Sequence, residues 1–173
     1  THLWGATIGT YTLAAYCGIA QTMREFVFDL VYETAPGPLE RLLTDATAVS
    51  STGFGGSIDN TEFWRFERFD GPSDAIDELR NADESDLLGV EQITETACNG
   101  SVHREVLTQS DGECELYYHL RDLNSCESIG TLAVEYIGSD VLFEVKRERG
   151  QETWTVMMET EDGVGLFYDA IQV

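Results

Sequence analysis

Shifted against itself by 90 residues, the chain aligns with its own second half without a gap across the best-matching stretch. Glu25-Phe26-Val27-Phe28-Asp29-Leu30 falls on Glu115-Leu116-Tyr117-Tyr118-His119-Leu120. Leu39, Leu42, Leu43 and Ala46 fall on Ile129, Leu132, Ala133 and Tyr136, and Glu62 and Trp64 fall on Glu152 and Trp154. Ile76 falls on Leu166. Identity is low, but strand-like, helix-like and aromatic positions keep one offset. A repeat is the strongest constraint on such a chain, because what the first copy builds the second must build again.

The periodicities give each half the same order of elements. Residues 24–33 alternate as a strand does, and Pro36-Gly37-Pro38 opens a helix whose apolar positions 39, 42, 43 and 46 share one face. Strands follow over 47–54 and 61–69, joined by a Gly-rich turn from Gly53 to Asn60. Asp70-Gly71-Pro72-Ser73 then caps a helix over 73–82, and a last strand covers 88–97. The second half repeats strand 114–121, helix 126–137, strands 141–149 and 152–160, and helix 162–171. The order β-α-β-β-α-β predicts an α+β fold of two tandem ferredoxin-like units with antiparallel sheets.

The expected units are 23–98 and 99–173, the second with an added leading strand over 101–109. Asn99-Gly100 and Ser110-Asp111-Gly112-Glu113 are hairpin signals on either side of it. Residues 1–22 carry no charge and are either a leader or an extra strand, with 11–19 matching 101–109. Val173 corresponds to Asp83, so the second unit is expected to lack its last strand. Either the native chain continues or the second sheet keeps three core strands.

Composition then limits function. With 32 Asp and Glu against 10 Lys and Arg, the formal charge is −22. Phosphate affinity comes from clustered cations, so direct binding of nucleic acid or of an anionic membrane is not expected. A hydrophobic content of 42% argues for a folded chain, not a disordered one. Molar salt shortens the Debye length to roughly 3 Å and screens the self-repulsion of such a surface. Acidity with a single lysine, Lys146, therefore points to a salt-in halophile; the alternative is an ordinary acidic domain. No apolar run reaches membrane-spanning length. Cys17, Cys98, Cys114 and Cys126 lack metal-type spacing and are expected as reduced thiols in a cytoplasmic protein.

Candidate chemistry is sparse. Cys98, His103, Cys114, His119 and Cys126 raise the question of a metal. If Ser110 faces Glu113, however, His103 lies opposite Leu120 and His119 opposite Arg104, on opposite sides of the sheet, and no metal site is expected. Gly53-Phe54-Gly55-Gly56-Ser57 lacks the lysine of a phosphate loop. No nucleophile elbow exists, and no cofactor or catalytic residue is assigned. Trp64 and Trp154, matched by the repeat, are read either as core packing or as ligand-binding residues of a pocket between the halves.

The opening Glu25-Phe26-Val27-Phe28, the Gly37-Pro38-Leu39-Glu40-Arg41-Leu42-Leu43 helix, Glu62-Phe63-Trp64, Val90-Glu91 and Glu152-Thr153-Trp154 carry a resemblance. Residues 23–173 resemble the regulatory domain of the bacterio-opsin activator family of haloarchaeal transcription regulators. The resemblance implies a non-enzymatic sensory or oligomerisation role, with DNA contacted by a helix-turn-helix domain C-terminal to this segment. It allows for a homodimer and a small-molecule effector. Two other readings stay open: a small-molecule-binding module with no DNA-linked role, and an enzyme whose pocket holds His103 or His119.

Overall fold

A computed structural model describes residues 2–13, 21–31, 42, 49–83, 98–124, 126–148 and 150–172, with backbone alone for 2–13, 21, 22 and 31. The strands are β1 (His2–Leu13), β2 (Gln21–Val31), β3 (Ser50–Asp59), β4 (Glu62–Asp70), β5 (Ser101–Ser110), β6 (Glu113–Arg121), β7 (Leu142–Glu148) and β8 (Gln151–Met158). The helices are α1 (Ser73–Asn81), α2 (Ile129–Tyr136) and α3 (Val164–Ile171). Of the expected helix 39–46 only Leu42 is described, and the expected strand 88–97 lies outside the described residues.

All eight strands among the described residues form one sheet in the order β1-β2-β8-β7-β3-β4-β6-β5, and every pairing between them is antiparallel. This overturns the expected pair of tandem ferredoxin-like units. Among the described residues the strands and helices follow the chain in the order given above, but the halves do not close separate sheets. With β5 to β8 taken as second copies of β1 to β4, the order reads the same from either edge. The place beside β4 that β2 would hold in a self-contained unit is taken by its counterpart β6, and β2 lies beside β8 instead. The repeats have exchanged their leading hairpins, and β3 pairs with β7 across the centre. Periodicity specifies which face of a strand is apolar, and β2 and β6 satisfy the same neighbours equally well.

The leading strand of the first half runs over 2–13, earlier than residues 11–19. The Gly-rich segment is also not a turn. It lies within β3, and the chain reverses at Asn60-Thr61. A Cβ on Gly55 would stand 2.7 Å from the Trp64 carbonyl oxygen, so the strand needs glycine there. The second hairpin signal is as expected: Ser110 pairs with Glu113, and Gly112 takes φ +82°.

The helices cover one face of the sheet. Phe26, Phe28, Leu30, Phe143, Val145, Trp154, Val156 and Met158 pack with α2 and α3 in one core. Phe69, Cys114, Leu116 and Tyr118 pack with Ala75, Ile76 and Leu79 of α1 in a second. Ser128 caps α2 reciprocally with Thr131. On the opposite face Phe54 and Leu142 stay 45% and 43% exposed, so that side of the central strands meets solvent.

Gly163, at φ +82°, admits α3 against α2, since a Cβ there would sit 1.8 Å from the Tyr136 carbonyl oxygen. Gly163→Ala is expected to destabilise the domain by more than the roughly 1–2 kcal/mol of a left-handed alanine alone. Gly165, in α3 with open space around it, is the control: Gly165→Ala should stabilise by roughly 0.5–1 kcal/mol. Denaturant midpoints of the two variants in molar KCl should therefore move in opposite directions.

Candidate functional site

The two halves meet in a cleft lined by Phe63, Arg65, Cys98, Leu123, Gly130 and Trp154, among others. The cleft and its open mouth together hold about 560 Å³ of space free of protein atoms. Its walls are mostly apolar. Trp154 is buried, with its ring parallel to Phe28 at 6.5 Å and edge-on to Phe143 at 6.0 Å. The Arg65 guanidinium lies 5.2 Å from the centre of the Trp154 ring. Gly130 leaves room at the start of α2, where a Cβ would press within 3.3 Å of Phe63.

Beneath the cleft Arg147, Glu67 and Glu152 form a buried charge cluster, which Arg65 in the wall completes. Arg147 donates from Nε and Nη2 to Glu152 at 3.1 and 3.2 Å, and from Nη1 to Glu67. Ser51 donates to Glu67 at 2.5 Å, and Trp154 Nε1 donates to Glu152 at 2.5 Å. Arg65 Nε lies 3.6 Å from Glu67. Two cations face two anions, so the cluster is neutral. Burial raises the Glu67 carboxyl, but Arg147, Arg65 and the hydrogen bonds from Ser51 and Arg147 outweigh it and leave it below its ordinary value. Burial lowers Arg65, while Glu67 works against that shift.

The sequence signal for this cluster is its phase. Phe63-x-Arg65-x-Glu67-x-Phe69, Phe143-x-Val145-x-Arg147 and Glu152-x-Trp154 put charges on the same alternate positions as the core residues. Charged residues at core phase mark a buried polar network, and sequence reasoning passed over them among so many acids.

Both expected ligand-binding tryptophans line the cleft, yet they are not equivalent in the sheet. Phe28 pairs with Trp154, whereas its counterpart Tyr118 pairs with Arg65. The cause is a bulge in β3 between Ser57 and Asp59, which the β7–β8 hairpin lacks. One extra residue shifts β4, so Arg65 becomes the counterpart of Trp154 and Trp64 turns to the uncovered face. There the Trp64 indole nitrogen closes over Gly56, 3.3 Å from where a Cβ would be.

The histidine register also differs from expectation. A second bulge, between Val106 and Thr108, brings His103 directly opposite His119 on one face. Arg121 Nη2, which only donates, lies 2.9 Å from His119 Nδ1, so Nε2 carries the hydrogen given to Glu62 at 2.5 Å. His103 is paired with Glu105 at 3.2 Å. Among the described residues no group of three or more His, Cys, Asp or Glu could hold a metal ion.

Two of the four cysteines correct the expectation of reduced thiols, Cys114 agrees with it, and Cys17 lies outside the described residues. Cys98 and Cys126 are joined in a disulfide with Cα atoms 4.7 Å apart, in the cleft wall. Cys114 is a free thiol that burial pushes up to about 11. No described helix is long and apolar enough to cross a membrane.

No curated protein and no solved structure matches the chain. A family model described as HVO_2928_N, N-terminal, matches residues 25–173, which takes in β2 through α3 and every residue of the cleft. That span is most of the chain, and on it the chain belongs to this haloarchaeal N-terminal domain family.

Proposed function

We propose that this domain is the non-enzymatic sensory part of a haloarchaeal transcription regulator whose helix-turn-helix lies elsewhere. In this reading its effector is an uncharged, flat, apolar small molecule held in the cleft. The observation that carries the reading is that the cleft takes its walls from both repeats, from β3 and β4 of the first and from β6, α2, β7 and β8 of the second. A ligand there contacts both halves at once and favours the packing that fits it best, which is what transmission to an attached domain requires. The charge balance below the cleft supports a neutral ligand, since an added charge would be buried beside a cluster already satisfied.

Indole serves as a neutral ring-shaped probe and indole-3-carboxylate as its charged counterpart. Calorimetric titration in molar KCl is expected to show millimolar or tighter binding of indole and at least tenfold weaker binding of the carboxylate. Gly130→Leu, which fills the cleft against Phe63, should abolish indole binding while near-UV circular dichroism shows the fold retained. Equal indole affinity in the folded variant would refute the cleft as the seat. Tight duplex-DNA binding by this domain alone would refute the assignment of DNA contact to another domain.

A further inference from the structure

We propose that Cys98–Cys126 is a thiol–disulfide exchange site for low-molecular-weight thiols, and that its reduction reshapes the wall of the cleft. That the cleft holds a ligand rests on the function proposed above; the exchange chemistry does not.

The bond joins the segment leading into β5 to the turn before α2, across 28 residues of sequence. Both cysteines line the cleft together with Leu123, Ser128 and Gly130, so the bond is part of the wall. Without it, the described residues of the turn keep backbone hydrogen bonds from Leu123 to Thr61 and from Cys126 to Leu123, each 3.1 Å, and the Thr131 hydroxyl's bond to the Cys126 carbonyl at 2.8 Å. Its apolar anchor is Leu123, which packs on Gly100 so closely that a Cβ there would come within 2.4 Å of Leu123 Cδ2. Gly100 lies two residues after Cys98, so releasing Cys98 loosens that anchor as well.

Accessibility sets the direction of attack. Cys98 is half-buried and Cys126 is buried. A small-molecule thiolate reaches the Cys98 sulfur, forms a mixed disulfide there, and expels the Cys126 thiolate, which takes up a proton. A second thiolate attacks the mixed disulfide, forming the small-molecule disulfide and releasing Cys98, which is protonated in turn. One protein disulfide and two small thiols thus become two cysteine thiols and one small disulfide. Cys114 stands outside the exchange, since its thiol is buried and its pKa is raised to about 11.

The test equilibrates the folded domain in molar KCl across a series of glutathione redox buffers, followed by alkylation and mass spectrometry. In parallel, the Trp154 indole N–H resonance is followed by NMR, assigned by its loss in Trp154→Phe. Cys98 and Cys126 are expected to become alkylated together in one transition while Cys114 stays protected. The Trp154 resonance should shift with the same midpoint, and in the Cys98→Ser/Cys126→Ser double variant it should sit at its reduced position in every buffer. Indole affinity should fall at least threefold on reduction. Free thiols in every buffer, reduction only after unfolding, or a Trp154 resonance indifferent to redox state would each overturn the proposal. Should Trp154 report the transition while indole binds neither form, the exchange site stands and the ligand reading of the cleft falls.

Discussion

Arg147→Met is expected to destabilise the domain by roughly 3–5 kcal/mol, measured by denaturant titration in molar KCl. Arg147 is 2% exposed and is the group that joins Glu67 to Glu152. Methionine keeps much of the volume but leaves two buried carboxylates without the guanidinium that joined them, with Arg65 3.6 Å from Glu67. The remedy open to the protein is to protonate one of them, so the variant's deficit should shrink in acid.

The same cluster has a pH signature. Glu67 has a folded-state pKa below its ordinary value, so ionised Glu67 adds stability above its unfolded pKa, about 4.3. That stability is lost as the pH falls through the folded value. Glu67→Gln never has this contribution. The stability difference between the parent and Glu67→Gln should therefore be constant near neutrality and narrow progressively below about pH 4.3. A gap unchanged down to the acid transition would show that Glu67 is not ionised in the folded cluster.

Trp154→Ala is the second large effect, also expected at roughly 3–5 kcal/mol. Trp154 is 1% exposed, and its loss removes the contacts with Phe28 and Phe143, the surface under Arg65 and the hydrogen bond to Glu152. Trp154→Phe separates these contributions. It keeps an aromatic ring between Phe28 and Phe143 but not the N–H, while Glu152 still receives Arg147. A cost near 1 kcal/mol is expected for that variant, in line with one hydrogen bond. Equal losses in both variants would mean that the hydrogen bond, not the ring, dominates.

Most elements were legible in the sequence, and their pairing was not. The alternation of Phe26, Phe28 and Leu30 and the spacing of Ala75, Ile76 and Leu79 mark faces that are buried as expected. Two single-residue bulges account for much of the rest. The one in β3 sends Trp64 to the open face and puts Arg65 opposite Tyr118; the one in β5 sets His103 against His119. A bulge adds one residue without altering local composition, so an ungapped repeat runs straight through it. The offset drifts again in α3, where Leu166, matched to buried Ile76, is 62% exposed and Phe167 points inward. The strand exchange left no mark at all, because β2 and β6 carry interchangeable apolar faces.

That exchange sets a timetable for synthesis. Asp29 on β2 accepts a hydrogen bond from Thr153 on β8, 124 residues later in the chain. As the chain leaves the ribosome, β2 emerges with Phe26 and Phe28 on one face long before its inner neighbour exists. The β3–β4 hairpin can form early, but it also waits for β6 and β7. Such non-local pairing is slow, and the exposed strand edges are sticky in the meantime. A truncated product carrying only the first repeat has the outline of a half-sheet seeking β6 and β7, and its nearest substitute is the same half of another nascent chain.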